Sequence, residues 1–291
     1  KLDKIPADIT RAIRFDSGND NSFNYFYIYN VDFIDNHALQ EGGAFSHNQR
    51  GKYFYFENCT FINCTTTATK SDVWGGGMYF NAIDSKLKNI TFINCSSQKG
   101  GSLAIKWSTN TIFENITIIN SSAGLVGGAV AVWDSNSVFA NATIINSSAK
   151  GNGGAIYWLE SRGTLRLINI INASAQNGGG MYISGENIDI YDSNIANSTS
   201  TYDGGAMYCN SNYHKVTNCT FEGCNATRYG GAVYIGNYIN IYFYNSTFNN
   251  SHAYNGGAFY YAGSVGTIVS IHNSTFTNNS VNFPCIYGIK Q

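Results

Sequence analysis

Proline is almost missing from this chain, with 2 residues in 291, and charge is scarce: 17 Lys and Arg face 18 Asp and Glu, 12% of the sequence in all. So little proline excludes a Pro-rich linker or polyproline segment. A net charge of −1 without basic runs excludes a nucleic-acid-binding surface. No apolar run approaches the roughly 18 residues of a membrane helix, so this segment is expected not to insert into a bilayer. No signal peptide is visible, and Lys1 reads as a mature or trimmed start.

Clustered chemistry is also lacking. Asp84, Asp134, Glu160, Asp189, Asp203 and Glu222 fall at different repeat positions, with no paired carboxylates of the kind polysaccharide hydrolases and lyases use. His37, His47, His214, His252 and His272 have neither metal-ligand spacing nor a nucleophile partner. No enzymatic activity, metal or other cofactor is therefore expected.

What is present is glycine, 31 residues, and aromatic side chains, 15%. The glycines come in a recurring motif: Gly153-Gly154-Ala155-Ile156-Tyr157 has relatives at Gly42-Gly43-Ala44-Phe45, Gly75-Gly76-Gly77-Met78-Tyr79, Gly100-Gly101-Ser102-Leu103 and Gly127-Gly128-Ala129-Val130. It continues at Gly178-Gly179-Gly180-Met181-Tyr182, Gly204-Gly205-Ala206-Met207-Tyr208, Gly230-Gly231-Ala232-Val233-Tyr234 and Gly256-Gly257-Ala258-Phe259-Tyr260. A degenerate copy, Cys285-Ile286-Tyr287, ends the series. After a longer first step the spacing is 25 to 27 residues, the mark of a solenoid. A second motif precedes each glycine pair: an apolar residue (Phe33, Phe61, Phe92, Ile118, Ile144, Ile170, Ile195, Phe221, Phe248, Phe276) and, three residues on, a small one such as Asn36, Cys64 or Ser121.

Together Phe-x-x-Asn and Gly-Gly-Ala-Ile resemble the repeats of the polymorphic outer membrane proteins, of the adhesin and autotransporter-passenger kind; Phe33 to Ala44 is the closest copy, and the likeness covers about residues 30–287. The resemblance implies a right-handed parallel β-helix and a role in surface display and adhesion.

The residues alone give the same shape. A repeat near 26 residues holds three short strands and three turns, so the fold class is all-β, about ten rungs in a single domain over 1–291. Residues 1–20 serve as N-terminal cap or lead-in and 21–291 as rungs. At about 4.8 Å per rung the rod is roughly 50 Å long. Each rung is too small to bury a core alone; stacking makes one. In the glycine-pair strand, counted from the residue after the pair, period two turns the second and fourth positions inward and the first and third outward.

Three outward columns follow. Sixteen Asn-x-Ser/Thr triplets mark N-glycosylation candidates: Asn58, Asn63, Asn89, Asn94, Asn115, Asn120, Asn141, Asn146, Asn172, Asn197, Asn218, Asn225, Asn245, Asn249, Asn273 and Asn278. The same residues also suit hydrogen-bonded ladders along the stack. Thr60, Thr91, Thr117, Thr143, Thr220, Thr247 and Thr275 form a hydroxyl column, which resembles the Thr ladders of some ice-binding β-helices. Tyr79, Tyr157, Tyr182, Tyr208, Tyr234, Tyr260 and Tyr287 form an aromatic column, read as a binding face for a sugar or protein or as a self-packing ladder. Of the 7 cysteines, Cys64 and Cys95 share an inward position on consecutive rungs and are the candidate disulfide, the alternative being small buried residues. The last rung lacks a polar cap, and an open strand edge invites another chain. The expectation is an extracellular, glycosylated, non-enzymatic structural or adhesive rod, a fibre subunit or segment of a longer surface protein, with covalent glycans and copies of itself or other surface proteins as partners. A carbohydrate- or protein-binding module, an ice-binding protein and a polysaccharide lyase are the alternatives.

Overall fold

The computed structural model describes residues 11–15, 25–47, 51–68, 71–236, 239–263 and 268–282. The strands form three parallel sheets that follow one coil: a glycine-pair sheet of 10 strands, a broad sheet of 17 and a narrow sheet of 10. The registers match the repeat. In the broad sheet Phe33, Phe61, Phe92, Ile118, Ile144, Ile170, Ile195, Phe221, Phe248 and Phe276 pair in succession. Phe92, Ile118 and Ile144 are buried in the bore, and Phe61 stacks on Phe33 and Phe92 at ring distances of 4.6 and 4.8 Å. From the opposite wall Phe80, Ile105, Val132, Trp158, Ile183 and Ile235 fill the same core.

The backbone explains why this sequence coils. Fourteen of the sixteen triplet asparagines are in the left-handed region, with φ from 48 to 59°, and turn the chain at the two ends of the strand that carries the bore column. Asparagine tolerates that region better than other side chains. At the two exceptions, Asn225 and Asn249, the left-handed residue is Gly223 or Asn250 instead. Each glycine pair makes the third corner: Gly153 has φ 68°, and a Cβ on Gly154 would lie 2.1 Å from the Gly179 carbonyl oxygen of the next rung.

Two expectations need correction and two become more specific. The coil has the three expected faces; the broad one runs as long bent strands such as Phe54–Ile62 and Asn136–Ile145 in the middle rungs and divides at the left-handed corner in the first rung, into Phe26–Tyr29 and Asp32–Ile34, and again from Ile188 onward, as in Ile188–Tyr191 and Asn194–Ala196. The first position of the glycine-pair strand faces in: Ala44, Ala129, Ala155, Ala206 and Ala232 belong to the core cluster. The reason lies across the bore, where a Cβ on Gly77 would meet the Phe92 ring and one on Gly180 would meet Ile195, so only Gly, Ala or Ser fits opposite the bulky column. In the lead-in, Ile13–Phe15 is a strand of the glycine-pair sheet in parallel register with Phe45–His47. Finally, Ser251 of the Asn249 triplet is buried, so that triplet does not present both residues to solvent. The remaining cap residues 1–10 and 16–20 and the final copy Cys285-Ile286-Tyr287 lie outside the described residues.

Candidate functional site: an external tyrosine ladder and its polar margin

The third position of the glycine-pair strand forms the outer column Ser46, Tyr79, Ala104, Ala131, Tyr157, Tyr182, Tyr208, Tyr234, Tyr260. Its two halves differ. In the first half Tyr79 is only 2% exposed and, with Ala104 and Ala131, lies beneath Trp74 and the partly buried Trp133. Two ammonium groups lie against those indoles: Lys99 Nζ is 4.4 Å from the Trp74 ring, and Lys106 Nζ is 5.2 Å from Trp74 and 4.1 Å from Trp107. Asp72 accepts from Trp74 Nε1 at 2.7 Å and pairs with Lys99 at 3.5 Å. Tyr79 is thus a packing residue under an external aromatic cover, and not part of an open binding face.

In the second half the rings are open on one side. Tyr157, Tyr182, Tyr208, Tyr234 and Tyr260 stack in sequence with ring distances of 5.3, 4.9, 4.6 and 5.7 Å and interplanar angles of 22° or less. Tyr229 extends the ladder sideways, 4.3 Å from Tyr260. Burial pushes the Tyr157 phenol up to about 12 and raises Tyr182, Tyr208, Tyr234 and Tyr260 in the same direction, so all five are neutral hydroxyls at ordinary pH. One margin is fastened by Arg228, which donates from Nε and Nη2 to the two oxygens of buried Asp203 at 3.2 and 2.6 Å and stacks over Tyr202. The other margin opens into a polar groove of about 520 Å³ lined by Glu160, Arg162, Glu186, Asn210, Ser211 and Asn212 among others. Asn210 on the groove wall offsets part of the effect of burial on the Tyr182 phenol.

The sequence reading missed this groove because its walls come from turn residues one rung apart. It also treated Asp134 and Glu160 as scattered, whereas they stack with Trp107 in one left-handed corner column, marked by the serine that follows each and bonds to its neighbour. Glu160 accepts from Trp133 Nε1 at 2.9 Å. A Ser–His pair also borders the groove, Ser211 Oγ lying 3.1 Å from His214 Nε2. The Ile188 N–H donates to Nδ1, so Nε2 carries the imidazole proton, and Ser211 gives its own proton to the Gly185 carbonyl at 2.7 Å. That tautomer cannot take the serine proton, so this pair lacks the activated nucleophile of a hydrolase. His37 and His252 bond to a hydroxyl of the next rung at the same narrow-sheet position. Among the described residues no group of three or more His, Cys, Asp or Glu could hold a metal ion.

The asparagine columns form ladders. Asn89 donates from Nδ2 to Asn58, Asn115 to Asn89 and Asn141 to Asn115 at 2.8 to 2.9 Å. At the neighbouring corner Asn94, Asn120, Asn146 and Asn172 each donate to the asparagine one rung back at 3.2 Å. All sixteen acceptor asparagines retain exposed surface. The threonine column is interrupted: Thr60 to Thr143 and Thr220 to Thr275 are separated by Asn169 and Asn194. This shortens the regular array that an ice lattice would meet.

The Cys64–Cys95 bridge is not formed. Both are free buried thiols, Cys64 donating toward the Phe33 and Ile62 carbonyls at 3.4 Å and Cys95 toward Phe61 and Ile93 at 3.6 Å. The adjacent Cys64 thiol, with burial, raises Cys95 well above the usual thiol range. Burial likewise holds Cys209 and Cys224 up at about 12 and Cys219 at about 11, so these behave as small apolar residues. Tyr287 lies outside the described residues.

Among known proteins, residues 128–291, more than half of the chain, match the model of a family described as a right-handed beta helix region. A solved structure from Geobacillus virus E2, ORF18, superposes with a TM-score of 0.50 at 10% identity, over 84% of this chain and 53% of the viral one. The chain therefore spans about half the length of that protein, and the likeness is one of fold. No curated protein matches the sequence.

Proposed function

Since the chain belongs to the family of right-handed β-helix regions, we propose that it is an extracellular, N-glycosylated, non-enzymatic rod that adheres through its tyrosine ladder. The observation that carries this reading is the row of five stacked, near-parallel, neutral tyrosines from Tyr157 to Tyr260, each partly exposed, with a polar groove beside the turns that follow Tyr157, Tyr182 and Tyr208. A continuous row of aromatic ring edges and phenol hydroxyls with polar groups beside it suits the C–H edges and hydroxyl rim of a sugar chain, or a protein surface that presents one. The resemblance of Phe33–Ala44 to outer-membrane adhesin repeats supports the same role, and other surface proteins or copies of this chain are its natural partners. Catalysis is disfavoured by the Ser211–His214 tautomer.

Glycosylation rests on the sixteen acceptor triplets, fifteen of which keep both the asparagine and its Ser or Thr at the surface. Attachment replaces one Nδ2 proton by the anomeric carbon of a sugar delivered on a lipid pyrophosphate, which leaves with the bonding electron pair. The second Nδ2 proton stays available for the ladder. Replacing Tyr182, Tyr208 and Tyr234 by Ser should abolish binding to a glycan array or to cell-surface material while the circular dichroism stays that of a β-helix. Unchanged binding by the folded variant would refute the adhesive face.

A further inference from the structure

A second apolar column runs along the outside of the first six rungs of the broad sheet and ends where Ala196 and then Glu222 take its place. Ile34, Ile62, Ile93, Ile119, Ile145 and Ile171 pair strand to strand in unbroken register, each one residue past the bore column and so facing the opposite way. All retain exposed surface, Ile34 as much as 52%. The threonines from Thr60 to Thr143 stand beside them, and between Thr60 and Ile171 neither column contains a charge. From the Ile62 rung to the Ile145 rung both margins of this stripe are acceptor corners, the Asn58–Asn141 ladder on one side and the ladder that starts at Asn63 on the other.

The dimensions limit the occupant. Five rung intervals give a length of about 24 Å, and alternate residues of one strand lie about 7 Å apart. The stripe thus covers roughly 170 Å², well below the roughly 800 Å² per partner of a stable protein interface. A pyranose ring fits it. The Asn63–Asn172 side chains leave the corner directly after each isoleucine, and their ladder is the looser of the two, at 3.2 Å against 2.8 to 2.9 Å.

We propose, on the glycosylated reading above, that N-linked sugars on the Asn63–Asn172 corner fold back over the isoleucine column, with the apolar ring faces on Ile and ring hydroxyls toward Thr. Acceptors one rung apart are only about 4.8 Å from each other, so the sugars occupy alternate rungs. The glycans are then the missing outer layer of the sheet, and the stripe is not a docking site for protein.

The test uses chain secreted from a eukaryotic host, alongside a Ser96→Ala, Ser122→Ala, Ser148→Ala variant. These changes remove attachment at Asn94, Asn120 and Asn146 and keep the ladder amides. Intact mass should fall in the variant, and binding of an apolar fluorescent dye should rise several-fold. Adding Ile93→Ser, Ile119→Ser and Ile145→Ser should cancel the rise. If the parent is glycosylated, the variant loses that mass and dye binding does not change, the cover is refuted while glycosylation stands. A parent without glycan mass refutes both, and intact mass alone separates the two failures.

Discussion

At the residue scale, His214 shows how the bore treats a titratable group. It is 1% exposed, and burial lowers its pKa to about 4 from an ordinary 6.5. The unfolded chain binds a proton between those values and the folded chain does not, so this contribution to stability is complete above about pH 6.5 and is lost as pH falls toward 4. The full swing is about 3 kcal/mol. Calorimetry from pH 7 to pH 4.5 should show a steep loss of Tm in the parent and a shallower one in His214→Gln, whose starting stability will be lower. The cysteines illustrate interchangeability. Cys64 and Cys95 occupy the position that Ser121 and Ser147 occupy in the next rungs, small and hydrogen-bonded to a carbonyl two residues back in Cys64, Cys95 and likewise Ser198. The double change to Ser should therefore shift stability by no more than about 1 kcal/mol in chemical denaturation, with or without reductant. A large reductant-sensitive loss would instead mean that the parent forms the bridge in solution.

At the scale of the strand, the bore column, the glycine pairs and the tyrosine column were legible because each is written once per rung at fixed parity. With Phe61 inward, parity also turns Ile62 outward, and the same step through Ile93, Ile119 and Ile145 gives the isoleucine column. Alternation fails at the glycine corner. Strict alternation put Ala155 outside, but Gly153 bends the chain just before the strand Ile156–Leu159 begins, so Ala155 and Ile156 both face the core. The groove and the Trp74–Lys99–Trp133 cover depend on side chains from different turns, which spacing alone does not bring together. Gly154 tests the glycine corner directly. Gly154→Ala drives a methyl group toward the Gly179 carbonyl, and the rungs must part to admit it. Denaturant titration should show a loss of about 1–3 kcal/mol, against a smaller loss for Ala155→Gly.

For the molecule as a whole, nearly every contact joins a rung to its immediate neighbours, as the successive pairings of all three sheets show. Stability in such a stack is a sum over rungs and junctions. The ladder hydrogen bonds all lie along the long axis, since each links a strand to the one above or below it. A rod of this kind anchored at one end and held at the other is therefore pulled in the direction in which those bonds stretch, not the one in which they slide. They yield a turn at a time. Optical-trap extension should give a sawtooth whose steps each release one repeat, roughly 90 Å of slack per 26 residues, so that the coil pays out under load as a shock absorber and re-forms when the tether goes slack.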